Sequence, residues 1–297
     1  MTAGVVDQRG SSSPRRVRAI AVRGALACAA LVGLTRGGAA QTASANRIML
    51  RLHPRMGDTL HTRLEQLTEI TTSRNGSAAA TPMTTSVIVL ARTIVQASRK
   101  ATTTVLTVVD SAEVHSSDAH GPAMSAQAER VLRGQRMLVQ LAEDGSVESA
   151  ADARGVAVPR DVAEAMAAMP SVLPRRPVAV GERWQREIPL PSAGPIGSTR
   201  SAVVRAEFRF DSLSGNGELA FVSMHGQIAS DADVRAVEMS GTMTGTMRID
   251  RMRGWMTESF FTLLIRSAVA PPSSSVGMAP MKFVTRVSQR LRTMDKR

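Results

Sequence analysis

The sequence predicts a mainly β protein: one large, curved antiparallel sheet, a half-barrel or open barrel, with one or two short helices. Apolar and polar residues alternate over runs of ten or more positions, which is the period of a strand with one buried face. Dipeptides suited to tight turns separate these runs, and helical patterns are short. Because strands of this length twist and their apolar face needs cover, we expect the sheet to curl around that face.

Residues 1–45 have the pattern of a secretory signal peptide. Four arginines precede an apolar run over residues 24–34, and small residues follow, ending at Ala43-Ser44-Ala45. The run is shorter than the roughly 20 apolar residues of a spanning helix. We therefore predict cleavage after Ala40 or Ala45. The predicted mature protein is bacterial, exported to the periplasm or beyond, and has no transmembrane span.

Cleavage at this point would also change the chemistry of the chain. It would remove the only cysteine, Cys28, whose surroundings do not favour a lipid anchor because Ala25 stands where a large aliphatic residue is usual. Removal of residues 1–40 takes away six Arg and one Asp and lowers the net charge from +12 to +7. Stacking on nucleic acid needs aromatic residues among basic ones, and the chain has no Tyr, six Phe and two Trp. We expect no nucleic-acid partner.

The first half of the predicted mature chain contains three strand patterns, over residues 60–70, 85–98 and 102–109. Asn75-Gly76 is a turn between the first two, and Asp144-Gly145 is the turn of a hairpin over residues 137–147. The second half alternates over residues 202–210, 237–250 and 281–292. Asn216-Gly217 is a further turn, and Arg253-Gly254 joins the second of these runs to a strand over 255–269.

Helical patterns lie between these two groups of strands. Residues 123–132 fit a short helix or, with Gly121-Pro122, a loop, and Pro170 ends a helix predicted over 162–169. A Pro-rich hinge over 170–177 follows. We predict one β-rich domain over residues 46–297, and two similar halves, 46–150 and 174–297, remain an alternative.

Two segments that start these halves share one pattern. Residues 53–60 and 176–184 each have Pro, a short gap, Gly, an acid, any residue and a large apolar residue. A Gly-acid turn that starts a strand is the favoured interpretation over a binding role.

The second of these segments resembles a group of uncharacterised exported bacterial β-rich proteins. The resemblance rests on Leu173-Pro174, Pro177-Val178, Val180-Gly181-Glu182 and Trp184, followed by long alternating strands. It extends loosely from Ile48 to Thr293 and implies no activity. The strand pattern is similar to the open half-barrel of periplasmic lipoprotein carriers, which implies a fold that can hold acyl chains.

Motifs for catalysis or metal binding are weak. His115, Asp118 and His120 carry metal-ligand groups, but the small residues around them indicate a solvated loop. The spaced methionines of 239–247 indicate inward-facing packing positions and not a copper site. His225 is predicted on an outward strand face, with no hydrolase motif around it. We expect no catalytic residue, no metal and no cofactor.

The functional prediction is a non-enzymatic protein that holds an apolar or amphiphilic, lipid-like ligand on the concave sheet face. An envelope structural or assembly protein that contacts another protein is the alternative, and an exported hydrolase is a third. Inward positions of the predicted strands supply the candidate ligand-lining residues: Trp184, Phe208, Phe210, Met239, Met243 and Met247.

Overall fold

Eleven antiparallel strands form one sheet in the computed structural model of the chain. The structure describes residues 46–74, 82–99, 101–118, 121–154, 172–190, 203–229, 237–269 and 281–294. The strands are β1 (Thr59–Arg74), β2 (Met83–Arg99), β3 (Thr102–Ser116), β4 (Arg136–Ala142), β5 (Val147–Asp152), β6 (Arg183–Pro189), β7 (Val203–Leu213), β8 (Leu219–Ala229), β9 (Val237–Asp250), β10 (Trp255–Val269) and β11 (Met281–Met294). The predicted fold class is confirmed.

The strand order across the sheet is β5-β4-β3-β2-β1-β11-β10-β9-β8-β7-β6. Consecutive strands therefore pair with each other except β5 and β6, and the first strand, β1, also pairs with the last, β11. β5 and β6 are the two edges, so the sheet is not closed by strand pairing. This order places the strands of the two chain halves on either side of the β1–β11 pair.

The predicted strands and turns agree with this arrangement where the structure describes them. The turns at Asp144-Gly145, Asn216-Gly217 and Arg253-Gly254 connect β4 to β5, β7 to β8 and β9 to β10. β3 is longer than the predicted strand, so His115 lies in a strand and not in the predicted loop. The predicted turn at Asn75-Gly76, the predicted helix over 162–169 and residues 1–45 lie outside the described residues.

A single helix, α1 (Gly121–Leu132), occurs in the described residues, where the sequence left helix or loop open. It packs against β3 beyond the end of the β3–β4 pairing. The Glu129 carboxylate accepts a hydrogen bond from the backbone N–H of Val114 at 2.8 Å. The helix therefore covers part of the β3 backbone that β4 leaves unpaired, which protects an otherwise exposed strand edge.

The cross-strand register assigns every second side chain to one continuous face of the sheet. Across β6 to β9 this face carries Trp184, Phe208, Met224 and Gly245, which stand in one row. We call it the concave face. The opposite, convex face carries Arg183, Glu207, His225 and their neighbours, which are mostly polar.

Contacts at one end of the sheet show how strongly it curls. Leu52 N donates to Glu143 O in the β4–β5 turn, and His53 N donates to Gly254 O in the β9–β10 turn, both at 2.8 Å. In a flat sheet, six strand spacings of about 4.8 Å would separate these turns by about 29 Å. Because Leu52 and His53 are consecutive, the two acceptors lie within about 10 Å of each other. We call this end the packed end.

Glycines on the concave side of β9 show the same curvature. An added Cβ at Gly241 would lie 2.1 Å from the carbonyl oxygen of Leu264, and one at Gly245 would lie 2.3 Å from that of Phe260. Side chains converge on the inner side of a bent sheet, so a residue without Cβ lets neighbouring backbone approach. Both glycines stand at inward positions of the alternating pattern.

Two closing segments, residues 46–58 and 172–182, pack at the packed end. They pair through an antiparallel bridge between Ile48 and Val178. Leu50, Leu173 and Val178 are at most 1% exposed and pack with the concave-face residues of β6 to β10. The largest core of the protein therefore lies between these segments and the concave face.

The two segments that share a sequence pattern also share a turn. Gly57 and Gly181 have φ angles of 88° and 86°. The carboxylate of Asp58 accepts the N–H of Arg55 at 3.1 Å, and that of Glu182 accepts the N–H of Ala179 at 2.9 Å. Each turn also bonds to the strand after the one it starts, at Val95 and Phe210. The sequence pattern thus forms a Gly-acid turn that starts β1 and β6.

Candidate functional site

The concave face divides into a packed part and a half-buried part. Near the packed end on β7, β8 and β9, residues such as Phe210, Val222 and Ile249 are at most 1% exposed. On β10, β11, β1 and β2, farther from that end, the apolar side chains are half-buried. They are Ile265, Phe283, Val287, Ile70 and Val87. Of these, Ile265 and Val287 also pack against the margin of the core.

The structure brings five of the six predicted ligand-lining residues into the packed core. Trp184, Phe208, Phe210, Met243 and Met247 are each less than 9% exposed. The Trp184 ring stacks on Phe208 with centroids 5.7 Å apart, and its indole N–H donates to Val172 O at 2.9 Å. Met239 is only partly buried at the margin of this core. Ligand contact by any of the six stays a prediction.

Polar side chains interrupt the half-buried part of the concave face. Gln66 on β1 stands directly opposite Gln289 on β11, and Thr68 stands opposite Val287. The Gln66 side-chain amide donates to Thr68 Oγ1 at 3.4 Å. A molecule resting on this surface would meet apolar groups and hydrogen-bonding groups together, which is the mixture that suits an amphiphile.

Arg186 is a cation on the concave side of β6. It lies in register with Ala206 on β7 and Gly226 on β8, between Trp184 and Ile188 along its own strand. One terminal nitrogen donates to Leu173 O at 2.7 Å and the other to Gln185 O at 3.1 Å. Its Nε is buried and has no hydrogen-bond partner.

The surroundings of Arg186 disfavour its charge. Burial, followed by the neighbouring Arg175 cation, lowers the pKa of Arg186 from its usual value, and Asp144 acts in the opposite direction. Asp144 is itself paired with Arg175, across 2.8 Å. The inward position of Arg186 could have been predicted from the sequence, because period-two alternation from Trp184 to Ile188 assigns it to the inward face.

The convex face carries the larger networks of ion pairs. Glu258 on β10 lies 3.5 Å from Arg248, 2.9 Å from Arg290 and 3.1 Å from Arg292. Large apolar residues are also exposed there, such as Val284 at 38% and Leu67 at 41%. They stand singly among charged residues, which is ordinary for a solvated surface.

Two small cavities open at the packed end. One, of about 390 Å³, is lined by residues of β1 and by Arg253, Thr293 and Met294. The other, of about 310 Å³, lies between the two closing segments and the β4–β5 turn, with Glu143, Asp144 and Arg175 in its wall.

Residues with catalytic or metal-ligand chemistry remain apart in the described part of the chain. No group of three or more His, Cys, Asp or Glu there is placed to hold a metal ion. His115 and Asp118 are exposed, and His120 lies outside the described residues. His225 is exposed on the convex face of β8, as alternation predicts. In these residues, no helix combines the length and the apolarity that crossing a membrane requires.

Part of the chain is similar to a family without assigned function. Residues 159–256 match the sequence model of a family of unknown function (DUF6263), which spans the second closing segment and β6 to β9. This agrees with the part of the chain on which the resemblance to uncharacterised β-rich proteins rests. No curated protein matches the chain.

Three solved structures align with most of the chain at low similarity. They are DynF from the dynemicin biosynthesis pathway of Micromonospora chersina (8% identity, 85% of this chain, 88% of that chain, TM-score 0.22), the COG4313 outer membrane channel from Pseudomonas putida F1 (11%, 81%, 96%, 0.20) and the outer membrane protein OprG from Pseudomonas aeruginosa (8%, 82%, 99%, 0.21). At these TM-scores the likeness supports no inference about function.

Proposed function

We propose that this protein is a non-enzymatic binding protein that holds an apolar or amphiphilic, lipid-like ligand on the concave face. The observation that carries the proposal is a difference in the burial of apolar side chains along this face. Closing segments cover the apolar residues of β7, β8 and β9 at the packed end, whereas Phe283 and Val287 on β11 and Ile70 on β1 are half-buried farther from that end. A ligand would complete the cover of this second part.

The energy available for such a ligand comes from removing apolar surface from water. Burial contributes about 25 cal/mol per Å², or about 0.8 kcal/mol for each CH₂ group. A chain of several methylene groups would therefore bind with useful affinity, provided that the surface is already shaped. The contacts at Leu52 and His53 hold the curl of the sheet at the packed end, which supports a surface that is shaped before a ligand binds.

The polar residues in the half-buried part favour an amphiphile over a plain hydrocarbon. Gln66, Gln289 and Thr68 offer amide and hydroxyl groups among the apolar side chains. A ligand with ester, amide or hydroxyl groups could satisfy them, whereas a hydrocarbon would leave them unpaired at a cost in affinity.

The test compares two valines on one strand. Val287→Asp places a charge on the concave face of β11, and Val284→Asp places the same charge on the exposed convex face. We expect the first change to weaken binding of an uncharged apolar fluorescent probe at least tenfold and the second to leave it unchanged. Circular dichroism and urea unfolding check that both variants fold.

Native ligand is sought in parallel by solvent extraction of the purified protein and mass spectrometry. Copurified lipid would support the proposal. Wild-type protein that yields no lipid and binds no probe would contradict it, as would equal probe binding by wild type and Val287→Asp. A lipid-free protein recovered in a large membrane complex would favour the structural role in the envelope.

A further inference from the structure

We propose that Arg186 binds the anionic headgroup of the ligand, which makes the preferred ligand an anionic amphiphile. This inference rests on the proposed function and specifies its ligand class. Its basis is a cation on an otherwise apolar stretch of the concave face, in register with Ala206 and Gly226.

The hydrogen bonds of Arg186 leave binding capacity. Its guanidinium has five N–H groups in a planar fork. The described contacts use one N–H toward Leu173 O and one toward Gln185 O. The buried Nε has no partner. A carboxylate or phosphate could accept from the remaining N–H groups of the two terminal nitrogens in a bidentate geometry, because Nε itself has no surface open to a ligand.

The charges around Arg186 also favour an anion. Arg175 and Asp144 are the charged groups that influence it, and they already form an ion pair with each other. Among the described residues, the three groups therefore sum to one positive charge, in a place where burial disfavours a cation. An anionic headgroup would neutralise this charge, whereas a neutral ligand would leave it.

The position of Arg186 connects it to the rest of the proposed ligand surface. Its register row continues through Met243 on β9 and Leu263 on β10 to Val287 on β11. Val287, against which the apolar part is proposed to lie, and Arg186 thus stand on one concave row, with the buried Met243 and Leu263 between them. The opposite edge of the row, at Thr68 and Thr85, carries hydroxyl groups and no cation.

Three ligands of equal chain length test the inference: dodecanoate, dodecyl phosphate and the neutral dodecanol. We expect wild-type protein at pH 7.5 to bind at least one of the two anions at least tenfold more tightly than dodecanol. Comparison of the two anions distinguishes a carboxylate headgroup from a phosphate.

Arg186→Gln is the informative variant, and Arg205→Gln on the convex face of β7 is its matched control. We expect Arg186→Gln to abolish the preference for the anion while dodecanol affinity changes less than twofold. Arg205→Gln keeps the preference. If Arg186 acts only by holding Leu173 in place, Arg186→Gln would weaken the binding of all three ligands by a similar factor. The ratio of the affinities for the anion and for dodecanol is therefore the decisive measurement.

If Arg186→Gln does not fold, Arg186→Lys takes its place. It keeps the charge but loses the planar fork, and we expect the preference for the anion to fall by at least threefold. An unchanged ratio in the folded variant would overturn the inference, as would equal binding of anion and alcohol by wild type. Failure of wild type to bind all three ligands would instead refute the proposed function.

Discussion

Arg175 donates from Nε to Oδ2 of Asp144 across 2.8 Å, and this ion pair connects the two edges of the sheet. Asp144 belongs to the turn between β4 and β5, and Arg175 belongs to the closing segment that leads into β6. In a flat sheet, ten strand spacings would hold β5 and β6 about 48 Å apart. The open edges are therefore joined at the packed end by side chains and a closing segment, not by strand pairing.

Replacement of Asp144 should destabilise the fold. Its side chain is only 9% exposed and also accepts bonds from the backbone N–H and the hydroxyl of Ser146, at 3.1 and 2.7 Å. Loss of a buried, bonded carboxylate typically costs about 2–4 kcal/mol, so we expect Asp144→Ala to lower the free energy of unfolding by this amount. Urea unfolding measures it.

The control for this change is Glu187→Ala. Glu187 lies 3.5 Å from Arg205, and both side chains are at least 70% exposed. Exposed pairs contribute about 0–1 kcal/mol, so we expect little change in the urea midpoint. Equal effects of the two substitutions would show that the Asp144 contacts do not hold the sheet edges.

Substitution of Gly245 should disturb the bend of β9. An added Cβ would lie 2.3 Å from the carbonyl oxygen of Phe260 and 2.8 Å from Phe261 Cβ, closer than side-chain carbons approach such atoms. We expect Gly245→Ala to destabilise the protein by about 3 kcal/mol or to prevent folding, since neighbouring backbone would have to move.

Gly215→Ala provides the comparison for this glycine. Gly215 lies in the β7–β8 turn, and an added Cβ there meets nothing within 4 Å. We expect a change within about 0.5 kcal/mol. Thermal unfolding followed by circular dichroism separates the two variants. A Gly245→Ala protein as stable as wild type would show that the sheet does not need the close approach on this face.

The alternation in the sequence was sufficient to predict the two faces of the sheet. Met239, Met243 and Met247 were assigned to the inward face because polar residues separate them, and the register confirms that face. Strand alternation is a local property, since successive side chains point to opposite sides of the backbone. The turns at Asn216-Gly217 and Arg253-Gly254 are local in the same sense and were predicted as well.

The sequence could not predict which inward positions are fully buried, because their burial depends on contacts between segments that are distant in the chain. Leu50 and Leu173 cover part of the concave face, and neither lies in a strand whose period could show it. Phe208 and Phe283 look alike in the alternating pattern, yet the first is fully buried and the second half-buried. Phe208 stacks on Trp184 within the core that the closing segments cover, and the alternating pattern does not show these contacts.

Glu182 should contribute to stability in a pH-dependent way. The hydrogen bond from the Ala179 amide, and next that from Arg176, lowers the pKa of the Glu182 carboxyl from its usual value. A carboxyl whose pKa is lower in the folded state stabilises the fold above its unfolded pKa of about 4.3 and loses that contribution as pH falls through the folded pKa.

We therefore expect the difference in unfolding free energy between wild type and Glu182→Gln to shrink as pH falls from about 6 to 3. Urea titrations across this range measure it. Arg176→Gln keeps the carboxyl but removes one of the causes of its low pKa, so the loss of stability at low pH should be smaller in that variant and complete at a higher pH than in wild type. A difference that stays constant from pH 6 to 3 would contradict this role.

Two of the candidate methionines should respond in opposite ways to truncation. Met247 is 4% exposed within the packed core, whereas Met239 is only partly buried at its margin. Loss of a buried methionine side chain costs about 2–5 kcal/mol because it leaves a cavity. We expect Met247→Ala to lower the unfolding free energy by this amount and to leave the affinity for an apolar probe nearly unchanged.

Met239→Ala should do the reverse, with a loss of stability below about 1 kcal/mol and a several-fold weaker affinity for the probe. Urea unfolding and probe titration on the same samples give both quantities. Weaker probe binding by Met247→Ala at wild-type stability would show that Met247 contacts the ligand. The packed part of the concave face would then be smaller than the burial of Met247 indicates. If neither change affected the probe, the ligand would lie toward β11, β1 and β2, where Phe283, Val287 and Ile70 are the residues to substitute next.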